Sequence, residues 1–216
     1  MDLELFGNIL VLLEFTTAIV ATIYYWKYKN GFIKYLLFYL WYIILHEVAC
    51  TVAKEFNLMK NSYMLSNLFQ FITFTFFLLL YNSEILTQRN RKLLKYFFII
   101  YITSFVLNCL NENVFNVPFA NTFILGSVFI TTSTILYFID LLNSDLILKT
   151  TKLIMFWISI ALFIQYTPLI PFKVVEKYYY DSINIPTLYL SKYILVFLTN
   201  IAFLIGFIWS QKIQKE

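Results

Sequence analysis

Apolar residues run through this chain in seven long blocks, separated by short clusters of charged and turn-forming residues. The blocks cover residues 5–25, 35–53, 64–81, 96–110, 121–141, 153–170 and 188–209. Each is close to the ~20 residues an α-helix needs to cross a bilayer core. The clusters between them are Lys27 to Gly31, Lys54 to Ser62, Asn82 to Lys92, Asn111 to Pro118, Asn143 to Lys152 and Pro171 to Pro186. A membrane β-strand would instead show segments of ~10 residues alternating in polarity. Runs such as Phe71 to Tyr81 do not alternate. The pattern predicts an all-α, polytopic integral membrane protein, a bundle of seven transmembrane helices.

Composition excludes the soluble alternatives. Of 216 residues, 61% are hydrophobic and 13% charged, where a soluble domain carries about 25% charged residues. With 24 Phe and 17 Tyr but 4 Gly and 4 Pro, the chain is neither disordered nor collagen-like. Seven helices use roughly 140 residues, and no connection can hold a folded domain of ~50 residues. A single membrane domain over residues 1–216 is expected, with any kinase or DNA-binding output on another polypeptide. Asp2 and Glu4 precede the first block where a secretory signal would be basic, so a retained helix is expected there.

Charge then predicts orientation. Lys27, Lys29, Lys34, Arg89, Arg91, Lys92, Lys95, Lys149, Lys152, Lys212 and Lys215 all fall on one side of a seven-helix zigzag. The other side has Lys54, Lys60, Lys173 and Lys177, with Lys192 just inside the seventh helix. Eleven cations against four place the N-terminus outside and the C-terminus in the cytoplasm by the positive-inside rule. Tyr24, Tyr25, Trp26 and Tyr28 would mark the inner interface and Tyr178 to Tyr180 the outer one. This asymmetry accounts for the basic balance without a nucleic-acid patch; anionic lipid is the expected counterpart.

Against so apolar a background, polar residues within the blocks stand out, since a charge near the bilayer centre costs about 2.5–3.5 kcal/mol. Glu14 lies midway along the first helix, and His46 beside Glu47 in the second. Asn67 and Gln70 follow in the third, Asn108 in the fourth, Gln165 and Tyr166 in the sixth, Asn200 in the seventh. With the predicted orientation all of these fall between the midplane and the outer surface, as an outward-facing polar cavity requires. Tyr35, Tyr39, Tyr42 and His46 share helical spacing and are expected to form one cavity wall. The alternatives are interhelical hydrogen bonds, worth about 0.6 kcal/mol each, for Asn67, Gln70 and Asn200. Close packing is expected for Thr131 to Thr134, and an outward-reaching side chain for Lys192.

Familiar catalytic chemistry is absent from the sequence. One histidine and two cysteines 59 residues apart make no zinc or C-x-x-C motif; Cys50 and Cys109 leave a disulfide open. No phosphate-binding or nucleophile-elbow motif occurs, no cofactor is implied, and the chain reads more as a non-enzyme.

The segments Asn67-Leu-Phe-Gln70-Phe71, Phe156-Trp157-Ile158 and Gln165-Tyr166 resemble those of a set of small seven-helix bacterial membrane proteins. That resemblance implies a bacterial inner-membrane protein with signalling partners rather than an activity. The layout also matches the SWEET and PQ-loop carriers and seven-helix receptors. However, residues 8–25 and 121–138 share only scattered matches, and no Pro-Gln pair occurs. None of the four prolines is expected midway along a helix, which speaks against hinged transport. The reading is therefore a sensor or accessory subunit that binds a small or lipidic ligand and signals through a separate cytosolic partner. Arg89, Arg91, Lys92 and Lys95 are the expected contact surface, with lipid anchoring as the alternative. A small-solute carrier or a homo-oligomeric pore comes second, an intramembrane lipid-modifying enzyme third.

Overall fold

A computed structural model describes residues 3–56, 63–179 and 185–211. Asp2, Lys60, Tyr180, Lys212 and Lys215 lie outside the described residues. Seven helices follow one another: α1 (Leu3–Ile23), α2 (Leu36–Glu55), α3 (Tyr63–Glu84), α4 (Gln88–Asn111), α5 (Ala120–Leu142), α6 (Ile154–Tyr178) and α7 (Ile185–Trp209). Short 3-10 turns lie at Tyr25–Lys27 and Phe32–Tyr35 between α1 and α2 and at Asp145–Lys152 between α5 and α6. No strand occurs among the described residues. All seven helices are long and apolar enough to cross a membrane, which makes the chain an integral membrane protein.

Two helices run further than hydropathy predicts. The fourth begins at Gln88 rather than Tyr96, because Gln, Arg, Lys and Leu are good helix formers whatever their polarity. The basic cluster Arg89 to Lys95 therefore occupies the first two turns of α4, not a loop. The sixth runs through Pro168 and Pro171 to Tyr178, where a stop at Ile170 was expected. Each proline removes one backbone donor, which leaves the carbonyls of Ile164 and Thr167 without their usual partners. Pro168 is thus a mid-helix proline, contrary to the expectation that none exists.

Hydrogen bonds between connections define the two ends of the bundle. At one end Lys27 Nζ donates to the carbonyls of Phe207 and Ile208 at 2.9 and 2.8 Å. There the Gln211 N–H also donates to the Lys152 carbonyl at 2.9 Å. Asp140, at the end of α5, binds the α3–α4 connection. Tyr28, buried nearby, donates to the Ala21 carbonyl at 2.5 Å, and burial pushes its phenol well above the ordinary range. At the opposite end Lys177 Nζ donates to Asn121 Oδ1 at 2.6 Å. Glu176 there pairs with Lys173 at 2.9 Å and Lys192 at 3.0 Å. Lys192 is therefore ion-paired, rather than simply reaching outward.

Helix α5 is the most buried helix and α4 the most exposed, packed chiefly on α3 and α5. Glycine sets two of the closest approaches. A Cβ on Gly126 would stand 2.6 Å from the Phe74 ring, and one on Gly206 would stand 2.6 Å from Trp157 Cβ. Small residues of this kind let membrane helices meet closely. Of Thr131 to Thr134, where close packing was expected, Ser133 and Thr134 are fully buried and Thr131 and Thr132 only partly so. Thr134 also meets the Tyr81 hydroxyl at 2.7 Å, and Tyr81 donates to Ser159 at 3.1 Å, which joins α3, α5 and α6.

Candidate functional site

The polar residues picked out in the sequence divide by what their side chains bond to. Asn67, 1% exposed, donates to the carbonyls of Val114 and Val117 at 3.1 and 2.9 Å. Its Oδ1 accepts the Phe119 N–H at 3.0 Å. Gln70, one turn on, donates to the Phe119 carbonyl at 3.3 Å, and Asn108 donates to the Thr122 hydroxyl. Asn67 and Gln70 fasten the α4–α5 connection, and Asn108 ties α4 directly to α5. Asp140 does comparable work at the other end. Its carboxylate accepts from the N–H groups of Leu86 and Thr87, the Thr87 hydroxyl and Asn90 Nδ2, all at 2.8–3.0 Å. The negative charge of Asp140 at the start of α4 suits the positive end of the helix dipole there and offsets the cations of the first turns.

A second set faces a cavity of about 150 Å³ lined by α1, α2, α3, α6 and α7. Its polar wall is Glu14, Glu47, Gln165, Thr199 and Asn200, with the hydroxyl-bearing rings of Tyr39 and Tyr166. Phe69, Phe77 and Phe203 lead the apolar wall. Thr199 donates within its own helix to Leu195 at 2.8 Å, and Asn200 Nδ2 does the same to Val196 at 3.0 Å. Tyr39 meets Thr73 at 3.2 Å. No hydrogen bond or ion pair joins the side chains of Glu14, Glu47, Gln165 or Tyr166 to another described residue, and Asn200 Oδ1 likewise has none. These groups keep hydrogen-bonding capacity that no described residue uses. In a low-dielectric interior such groups require a partner.

Geometry corrects the expected wall on α2. Tyr39, Leu40, Ile43 and Glu47 line the cavity, a stripe turned by about one residue from the tyrosine–histidine series. His46, ~100° around the helix from Glu47, stacks on Phe69 with ring centroids 4.3 Å apart. Its Nε2 lies 3.5 Å from Cys50 Sγ. Tyr42 stacks on the same Phe69 at 5.8 Å, and Tyr35 is exposed. Asn200 stands past the middle of α7, nearer Trp209 than Ile185, instead of in the outer half. Cys50 and Cys109 are both free.

No family model, curated protein or solved structure matches this chain. The site therefore rests on its own chemistry. Among the described residues no group of three or more His, Cys, Asp or Glu could hold a metal ion. Of the tyrosines and histidine expected on the wall, Tyr39 lines the cavity. Thr199 is a polar lining residue left out of the candidate set, although it adjoins Asn200. The basic cluster is elsewhere: Arg89, Arg91, Lys92 and Lys95 are exposed on the start of α4, and Arg91 Nε is held by the Ile85 carbonyl at 2.9 Å.

Proposed function

We propose that this chain is a membrane sensor or accessory subunit that binds a small or lipidic ligand within the bundle and passes the signal to a cytosolic partner. One observation carries the reading: polar groups from α1, α2, α6 and α7 converge on one cavity with their hydrogen-bonding capacity unused. Ligand sites have this character, a mostly apolar hollow with a few convergent polar groups. The cation asymmetry supports an outside N-terminus and a cytoplasmic face at the end bearing Lys27, Arg89 and Lys152. Arg89, Lys92 and Lys95 would meet the partner there, or anionic lipid. The resemblance to small bacterial seven-helix proteins supports a bacterial inner membrane.

The test has two arms. Single cysteines replacing Lys92 and Asn116 in a chain without Cys50 and Cys109 are labelled in intact cells with an impermeant maleimide. Asn116→Cys is expected to react and Lys92→Cys to stay silent until the membrane is opened; the reverse pattern overturns the orientation. A photocrosslinker at Lys95 is expected to capture a cytosolic protein in a ratio that changes when Glu14 and Glu47 are both replaced by Gln. Capture of lipid alone overturns the partner.

A carrier is the second reading, favoured by Pro168 and Pro171 within α6 beside Gln165 and Tyr166. Prolines that release helix carbonyls next to a site suit a helix that bends during transport. Flux of a solute into proteoliposomes, lost on Glu14→Gln, would establish it over the sensor.

A further inference from the structure

The charge and shape of this cavity narrow its ligand to one chemical class, an inference that rests on the ligand-binding reading above. Two carboxylates, Glu14 and Glu47, face one space, and no Lys, Arg or His lines it. Lys54, seven residues after Glu47, is exposed and does not line the cavity; Lys27 is held by the Phe207 and Ile208 carbonyls and Lys192 by Glu176. His46 is turned onto Phe69. Tyr166 is 5% exposed and lines the cavity, and Asn200 is 6% exposed; among the described residues neither the Tyr166 hydroxyl nor the Asn200 carbonyl oxygen has a hydrogen-bond partner. The convergent polar groups thus include two acids and the free Asn200 oxygen, while donors come only from neutral amide and hydroxyl groups. Both acids face a low-dielectric space and call for a positive partner.

The rest of the wall decides which cation. A bare metal ion wants a shell of six or more oxygens, whereas here aromatic rings and aliphatic side chains make up most of the surface. Rings attract cations through their faces, and aromatic cages with nearby acids are a recurrent way to hold organic ammonium groups. A volume of about 150 Å³ matches a cavity known to take benzene, so the ligand has roughly six heavy atoms.

We propose that the cavity binds a small organic ammonium, with the charged nitrogen between Glu14 and Glu47 and its carbon groups against Phe69, Phe77 and Phe203. That nitrogen can belong to a free amine or to the headgroup of an ammonium-bearing lipid.

Calorimetric titration of the full chain in phosphatidylglycerol nanodiscs tests this, with choline, ethylammonium and the uncharged choline analogue 3,3-dimethylbutanol as probes. Saturable binding of the two cations is expected, with the neutral analogue at least tenfold weaker. Glu14→Gln and Glu47→Gln should each weaken the cations at least tenfold. Both variants should keep the thermal midpoint of the parent, because neither carboxylate bonds to another described residue. Equal binding of choline and its neutral analogue overturns the ammonium assignment but leaves a ligand cavity in place. Failure of all three probes overturns the assignment as well. A ligand co-purifying with the parent and absent from a Tyr166→Trp variant would then still support the ligand cavity. Binding unchanged in both Gln variants also overturns the assignment. Adding phosphatidylethanolamine to the discs identifies the source. A tenfold rise in the apparent Kd for choline marks the lipid headgroup as occupant, and an unchanged Kd marks a free amine.

Discussion

Asn67 on α3 holds Phe119, the residue before α5, by accepting its backbone N–H at 3.0 Å. The same side chain donates to two carbonyls of the preceding connection, so one amide closes three backbone groups. Such a residue looks functional in a membrane sequence, yet its bonding capacity is satisfied within the protein. Replacing Asn67 with Ala should destabilise the fold by about 2–4 kcal/mol, since buried groups would be left unpaired. Asn67→Asp should cost at least as much, because a carboxylate cannot donate to the two carbonyls. Thermal denaturation in detergent checks both. A midpoint unchanged from the parent would show that the clamp carries no stability.

Asp140 joins α5 to the start of α4 through four donors. Asp140→Asn should cost about 2–4 kcal/mol, given that hydrogen bonds to a charged group are worth more than neutral ones. The amide also turns a donor toward the N–H groups it replaces. Faster hydrogen exchange over residues 85–92, with the rest of the chain unaffected, is the expected signature.

The glycines separate into two kinds. Gly126→Ala and Gly206→Ala place a methyl 2.6 Å from the Phe74 ring and from Trp157 Cβ. Phe74 is fully enclosed, and a Cβ cannot swing aside, so each substitution should destabilise by about 1–3 kcal/mol. Gly7→Ala meets only the Tyr193 hydroxyl at 3.9 Å. There the gain in helix propensity, up to about 1 kcal/mol, should leave stability unchanged or higher. Thermal midpoints of the three variants should rank in that order.

Cys50 and Cys109 are free thiols. Intact-mass analysis without reductant should show two maleimide additions after unfolding in detergent. A mass two daltons low that resists labelling would place a disulfide there instead.

Much of this protein was legible from the order of its residues. Seven apolar blocks are seven helices because the bilayer sets the length an apolar helix must have. The concentration of Lys and Arg in alternate connections matches the grouping of those connections at one end of the bundle. Hydropathy failed where a helix leaves the apolar layer, at Gln88 and at Tyr178, because helical geometry does not require apolar residues. Glu14 and Glu47 stood out because ionisable groups in apolar segments are costly wherever they lie.

Only the tertiary structure decided which polar residues serve the fold and which face the cavity. Asn67 and Gln165 are alike in the sequence, amides in apolar helices. Asn67 is satisfied by residues 114–119 from a distant segment, whereas no described residue bonds to the Gln165 side chain. A turn of ~100° per residue likewise separates His46 from Glu47, and the position of the neighbouring helices determines which of the two meets the cavity. Sequence alone thus determined the membrane, the number of spans and the two acids. The convergence of those acids on one space came from helix packing, because hydrogen-bond partners are supplied by segments far away along the chain.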